Sequence, residues 1–116
     1  MTVALLDAEL IASIRMIEKA SGRSDVLSGL VGKLESNIAG FPRAFRDCLG
    51  RGDEAGAARA AHTLKGSCHQ LGAQALGELF AEIERAAKAG DYDGAQRKFH
   101  DAERLIARSL DALRSA

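Results

Sequence analysis

Between Glu54 and Glu78 the chain carries no acidic residue, yet Arg59, His62, Lys65 and His69 all fall in that interval. If the segment is a helix with Ala57, Ala61, Leu64, Cys68 and Leu71 inward, then Arg59, His62, Gly66 and His69 come to the opposite, solvent-facing side. Lys65 lies one turn from His62. Spacings of three and four bring Cβ atoms within about 5–6 Å, so these side chains act on one patch of surface. The patch is basic and bears an exposed imidazole. An unperturbed imidazole titrates near pH 6.5, so close to neutrality much of it is unprotonated and one ring nitrogen is a competent nucleophile. Lys65 can approach an anionic group carried there, a contact worth about 1 kcal/mol at about 4 Å in water-like surroundings.

Gly66, four residues beyond His62, costs a helix interior about 0.8–1 kcal/mol relative to alanine. Its missing Cβ is expected to leave room beside the imidazole for another protein's reacting group. A ring that reacts through one nitrogen has to be held by the other, commonly by a carboxylate on a neighbouring element. Glu84 lies in the next segment and could serve, as could Glu78, Glu82 and Asp91 in or near it. Metal chelation fits less well, because His62 and His69 are two helical turns apart, a rise of about 10.5 Å, whereas a chelating pair on one helix sits four residues apart. His100 has no motif around it. Cys68 falls on the inward face as a small core residue.

The elements that must position these groups read as helices. One proline, no tryptophan and abundant Ala, Leu, Arg and Glu favour helix, and the apolar residues follow a 3.6-residue period almost throughout. Asp7 caps a first helix with Leu10, Ile11, Ile14 and Ile17 inward, ending at Ser21-Gly22. Ser24 is the expected cap of a longer second helix, whose face runs Leu27, Leu30, Val31, Leu34, Ile38, Phe41, Phe45 and Leu49 up to Gly50-Arg51-Gly52. Pro42 lies within it and should bend it without changing the apolar phase. Asp53 caps the third helix and Gly72 ends it. The fourth carries Leu76, Leu79, Phe80, Ile83 and Ala87 and stops at Gly90. From Asp91 a last helix presents Tyr92, Ala95, Phe99, Ala102, Ile106, Leu110 and Leu113 as one stripe. The expected fold is all-α, an antiparallel up-down-up-down four-helix bundle with an additional N-terminal helix across one end, in a single domain over 1–116.

Composition limits the function. The chain has 116 residues, 47% apolar and 28% charged, with 16 basic and 16 acidic side chains. That balance argues against nucleic acid, which rewards a basic excess. No apolar stretch approaches the about 20 residues that a membrane span needs. Two cysteines without CxxC spacing suit a reduced cytoplasmic protein, and one apolar face per helix leaves no surplus that calls for an oligomer, so a monomer is expected.

The run His62-Thr63-Leu64-Lys65-Gly66-Ser67, preceded by Ala60-Ala61 and followed by Leu71-Gly72-Ala73, closely resembles the signature of the histidine-containing phosphotransfer (HPt) domain. The resemblance extends to Leu76, Leu79 and Ile83-Glu84 in the next helix, to the long proline-containing helix before the motif, and to the overall length. It implies a helical bundle in which His62 carries a phosphoryl group between receiver domains of response regulators. In that setting Lys65 stabilises phosphoryl charge, Gly66 gives access, Glu84 orients the imidazole, and Arg59, Ser67 and His69 contact the partner. Phosphoryl transfer asks for in-line approach and charge stabilisation, and the receiver brings the aspartyl phosphate and Mg²⁺, so the bundle needs no cofactor of its own. With no Gly-rich nucleotide loop or P-loop, the chain is expected to be a carrier and not a kinase. Two alternatives are direct phosphorylation of His62 by a separate histidine kinase or hybrid kinase, and a helical adaptor that binds receiver or kinase domains without chemistry.

Overall fold

The computed structural model describes residues 4–116, and among them the chain is helical with no strand. The elements are α1 (Ala8–Ser21), α2 (Val26–Gly50), α3 (Glu54–Gln70), α4 (Gln74–Lys88), α5 (Tyr92–Asp101) and α6 (Glu103–Ser115). Local bonds start most of them where expected. The carboxylates of Asp7, Asp53 and Asp91 accept from the backbone N–H groups of Leu10, Gly56 and Gly94, each satisfying a donor that the first helical turn leaves free. Connections of only three residues, 51–53, 71–73 and 89–91, force α2, α3, α4 and α5 to run antiparallel in turn. The helix α6 packs on α2 and α4 and closes the bundle.

The core has two unlike halves. All four phenylalanines and the one tyrosine of the sequence gather in one cluster. Phe41 lies 5.5 Å from Phe80, edge to face, and 5.2 Å from Phe99, which locks α2, α4 and α5 together. Such pairs add about 0.5–1.5 kcal/mol each beyond their burial. The buried face of α3 is instead made of small side chains, with Ala57, Ala61 and Cys68 completely covered. Small residues let the α3 backbone approach its neighbours closely, so polar side chains at its edge can reach α4. Burial pushes the Cys68 thiol up to about 12, which keeps it protonated and inert.

The N-terminal helix lies across one end of the bundle. The Asp7 N–H donates to the Gly72 carbonyl in the α3–α4 turn, and Ile11 packs against Gly72. Gly72 has a φ of 82°, and a Cβ there would stand 3.3 Å from the Asp7 carbonyl oxygen, so the turn requires glycine on both counts. At the other end of α1, Arg15 reaches the backbone oxygen of Ala116 beyond α6, and Glu18 meets the start of α2.

Four expectations need correction. The last helix is two helices: at Ala102 an i→i−3 bond from its N–H to the Phe99 carbonyl interrupts the ladder before α6 begins, while the apolar stripe passes through the break. Ser24 does not cap α2. Asp25 occupies that position without a side-chain bond, and the Leu27 N–H is satisfied from outside the helix by Glu18. Ile17 and Leu30 are not core residues: they are 62% and 43% exposed, because α1 covers only the end of the bundle. His69 does not stand in solvent with His62 but is half-buried toward α4. The helix α2 does run on through Pro42 without a break.

Candidate functional site

His62 lies midway along α3 with its side chain 61% exposed. Its Nδ1 is 3.1 Å from Oε2 of Glu84, which comes from α4 one turn before its end at Lys88 and is itself almost fully buried. Two lysines reach the same carboxylate: Lys65 Nζ is 2.9 Å from Oε1, and Lys88 Nζ is 2.9 Å from Oε2. Burial alone would push the Glu84 carboxyl up. The hydrogen bonds from Lys88, Lys65 and His62 outweigh it and hold the group at about 2. At neutral pH Glu84 is therefore ionised and can only accept, so Nδ1 of His62 carries the proton and donates. The lone pair is left on Nε2, the ring nitrogen that Glu84 does not engage.

Arg59, one turn before His62, is exposed, and Thr63 beside it is exposed as well. Gly66 is half-buried, and a Cβ built there meets nothing within 4 Å, so packing inside the chain does not call for glycine at this position. Ser67 is half-buried and lines a groove of about 370 Å³ between α1, α2 and α3, together with Ile14, Leu30, Lys33, Leu34 and Leu71. His69 departs from the basic surface. Its ring lies on the α4 backbone at Gly77, where an added Cβ would stand 2.4 Å from Cε1. The seam between α3 and α4 is thus fastened twice, by His62 on Glu84 and by His69 on Gly77.

The family model of the Hpt domain matches residues 25–116. This chain belongs to the Hpt domain family. Over 84 residues, 72% of its length, this Hpt domain is 33% identical to the sensor histidine kinase AruS of Pseudomonas aeruginosa, and the match covers 8% of that protein. No solved structure matches the chain. Hpt domains are histidine phosphotransfer carriers of phosphorelays and not kinases, and the matched region includes the whole bundle from α2 to α6, with α1 ahead of it.

The fold brings together His62 and Lys65, neighbours by their spacing on one helix, and Glu84, the carboxylate that the resemblance implies; Lys88 joins them unannounced, and Gly77 meets His69 two turns away. Lys88 was findable, because it follows Glu84 by four residues and such pairs face each other on a helix. Gly77 carries no local signal, since its reason for being glycine is a ring from another helix. Lys65, one turn from His62, is 31% exposed and anchored on Glu84.

Glu84 has a folded pKa below its ordinary value of 4.5, so its stabilising contribution is complete above about pH 4.5 and is lost as pH falls toward about 2. Glu84→Gln should cost on the order of 1–3 kcal/mol at pH 7 in urea unfolding, and its gap to the parent protein should narrow between these two values; a gap independent of pH would show that the carboxylate is not held ionised. The seam at Gly77 is checked by a double-mutant cycle. Made in a His69→Ala background, Gly77→Ala should gain up to about 1 kcal/mol of helix propensity, whereas with His69 present the gain should vanish or reverse because the ring must move. Equal effects in both backgrounds would remove the packing role of Gly77.

Proposed function

We propose that this Hpt domain accepts a phosphoryl group on Nε2 of His62 from the aspartyl phosphate of a receiver domain and passes it to the aspartate of another response regulator. The observation that carries the reading is an exposed imidazole whose Nδ1 is held by a buried, ionised carboxylate. In the forward step the lone pair of Nε2 attacks phosphorus, the bond from phosphorus to the aspartyl oxygen breaks, and the receiver's carboxylate leaves with that electron pair. The proton on Nδ1 stays in place, and the positive charge that grows on the ring is balanced by Glu84. The receiver supplies Mg²⁺, and this chain supplies the nucleophile and its orientation. Lys65 sits within one turn of the reacting nitrogen and is placed to exchange Glu84 for a phosphoryl oxygen, while Lys88 continues to neutralise the carboxylate.

The docking surface in this reading joins the basic stripe at Arg59 to Ser67 and the groove beside it, and continues over the exposed apolar side chains of Ile17 and Leu30. His69, turned to the seam, contributes at its edge. The open space at Gly66 supports its role in access, because nothing within the chain fills or needs it. Similarity to a sensor histidine kinase supports a kinase or hybrid kinase as a source of phosphate. The protein acts as a monomer in the cytoplasm.

Incubation with a phosphorylated receiver and Mg²⁺ should move label to this chain in an acid-labile, base-stable form, whereas an adaptor would bind and take none. His62→Gln should lose all label with helical content and melting nearly unchanged; label persisting on another residue would refute the assignment. Gly66→Arg should slow transfer by about a hundredfold with His62 intact, and transfer at the parent rate would remove the access argument.

A further inference from the structure

The helix α1 offers two inward stripes that cannot both be satisfied. Leu10, Ile14 and Ile17 form an apolar one, spaced by four and three residues. Ile11, Ile14 and Glu18 form the other, with a carboxylate in its last place. Hydrophobic burial favours the first. The structure takes the second: Ile11 is 7% and Glu18 4% exposed, whereas Ile17, about 100° round the helix from Glu18, is 62% exposed.

The carboxylate decides the roll because of where it lands. Its Oε2 accepts the Leu27 N–H at 2.9 Å, and its Oε1 pairs with Arg15 Nη1 at 2.7 Å. Leu27 is in the first turn of α2, which carries no acidic residue and whose own N-cap side chain makes no bond. A long-range carboxylate thus serves as the cap of the longest helix, where unsatisfied N–H groups and the helix dipole both favour negative charge. The Leu27 N–H bond and the Arg15 pair hold the Glu18 carboxyl below its usual range. The opposite end of α1 is fixed separately, by the Asp7 N–H on the Gly72 carbonyl and the Ala75 N–H on the Leu5 carbonyl. Ile11 against Gly72 holds the rotation of the first turns, and Glu18, with Arg15 on the backbone oxygen of Ala116, sets that of the last turns, where Ile17 lies.

We infer that Glu18 is a positioning residue for docking, which turns α1 so that Ile17, one turn beyond the groove residue Ile14, faces a receiver domain on the side of Leu30. The inference rests on the phosphotransfer reading and adds to it the device that builds the apolar part of the partner surface. It concerns binding and not the chemical step, since Glu18 lies on the helix at the end of the bundle and is not among the groups around His62.

Two measurements test it. In the first, a soluble gadolinium chelate relaxes the Ile17 methyl signals of the full chain by NMR. Relaxation should be strong in the parent protein and weak in Glu18→Ala, where α1 can roll and cover Ile17. Glu18→Gln keeps an oxygen for the Leu27 N–H and should behave like the parent. Equal relaxation in Glu18→Ala and the parent, or a Gln variant that matches the alanine variant, would overturn the inference whether or not any receiver binds.

In the second, transfer from the receiver that labels His62 is followed at varied concentration. Glu18→Ala should raise the half-saturating concentration about tenfold with the maximal rate unchanged, and Ile17→Ala should add little to it although it weakens the parent by a similar factor. Full additivity, or no effect of Ile17→Ala on the parent, would sink the proposal. Failure of every receiver to label the parent would instead count against the phosphotransfer reading, and the chelate measurement would still decide the role of Glu18.

Discussion

A carboxylate buried between two helices must be neutralised, and much of the site's arrangement follows from that need. Glu84 sits in the seam of α3 and α4 with almost no access to water, and removing an ion from water without partners costs several kcal/mol. Three groups meet the requirement, two lysines and the imidazole of His62. Each is thereby oriented. The imidazole is fixed in one tautomer, Lys65 is held a turn away from it, and Lys88 supplies the charge that keeps the carboxylate ionised if Lys65 moves. A single buried oxygen pair therefore does for this site what a network of surface contacts would do less firmly, because exposed pairs contribute little and are screened by salt.

The same constraint explains the composition of α3. For a carboxylate on α4 to meet an imidazole on α3 at hydrogen-bonding distance, the backbones must come close, and the covered residues Ala57, Ala61 and Cys68 permit that. Large side chains are concentrated elsewhere, in the aromatic cluster of α2, α4 and α5. The bundle is thus held apart where bulk is harmless and drawn together where the chemistry is. His69 on Gly77 extends the close approach by two further turns toward the α3–α4 turn.

Much of this is legible in the sequence, for identifiable reasons. The caps at Asp7, Asp53 and Asp91 are local bonds across three residues, and local bonds leave local signatures. The inward faces of α2, α3 and α4 emerge from periodicity because each helix has one dominant apolar stripe. The site is legible because His62, Lys65 and Gly66 lie within two turns of one helix, and Glu84 falls in the next. What escapes is decided at long range. Ser24 is a plausible cap until Glu18 arrives from another helix, and Ile17 fits an apolar stripe that loses to a hydrogen bond. The break at Ala102 lies in a stretch with neither glycine nor proline, so no residue type announces it. Gly77 and His69 explain each other only once α3 and α4 are side by side.

The placement of the aromatic residues also governs what light can report. The chain has one tyrosine and no tryptophan, and Tyr92 stands at the margin of the phenylalanine cluster, 6.4 Å from Phe45. Ultraviolet emission therefore registers events at the junction of α2 and α5, far along the chain from α1. Loosening of the N-terminal helix, or arrival of a visitor over the imidazole, would leave that signal unchanged, and a fluorophore introduced on α1 would be read against a steady background.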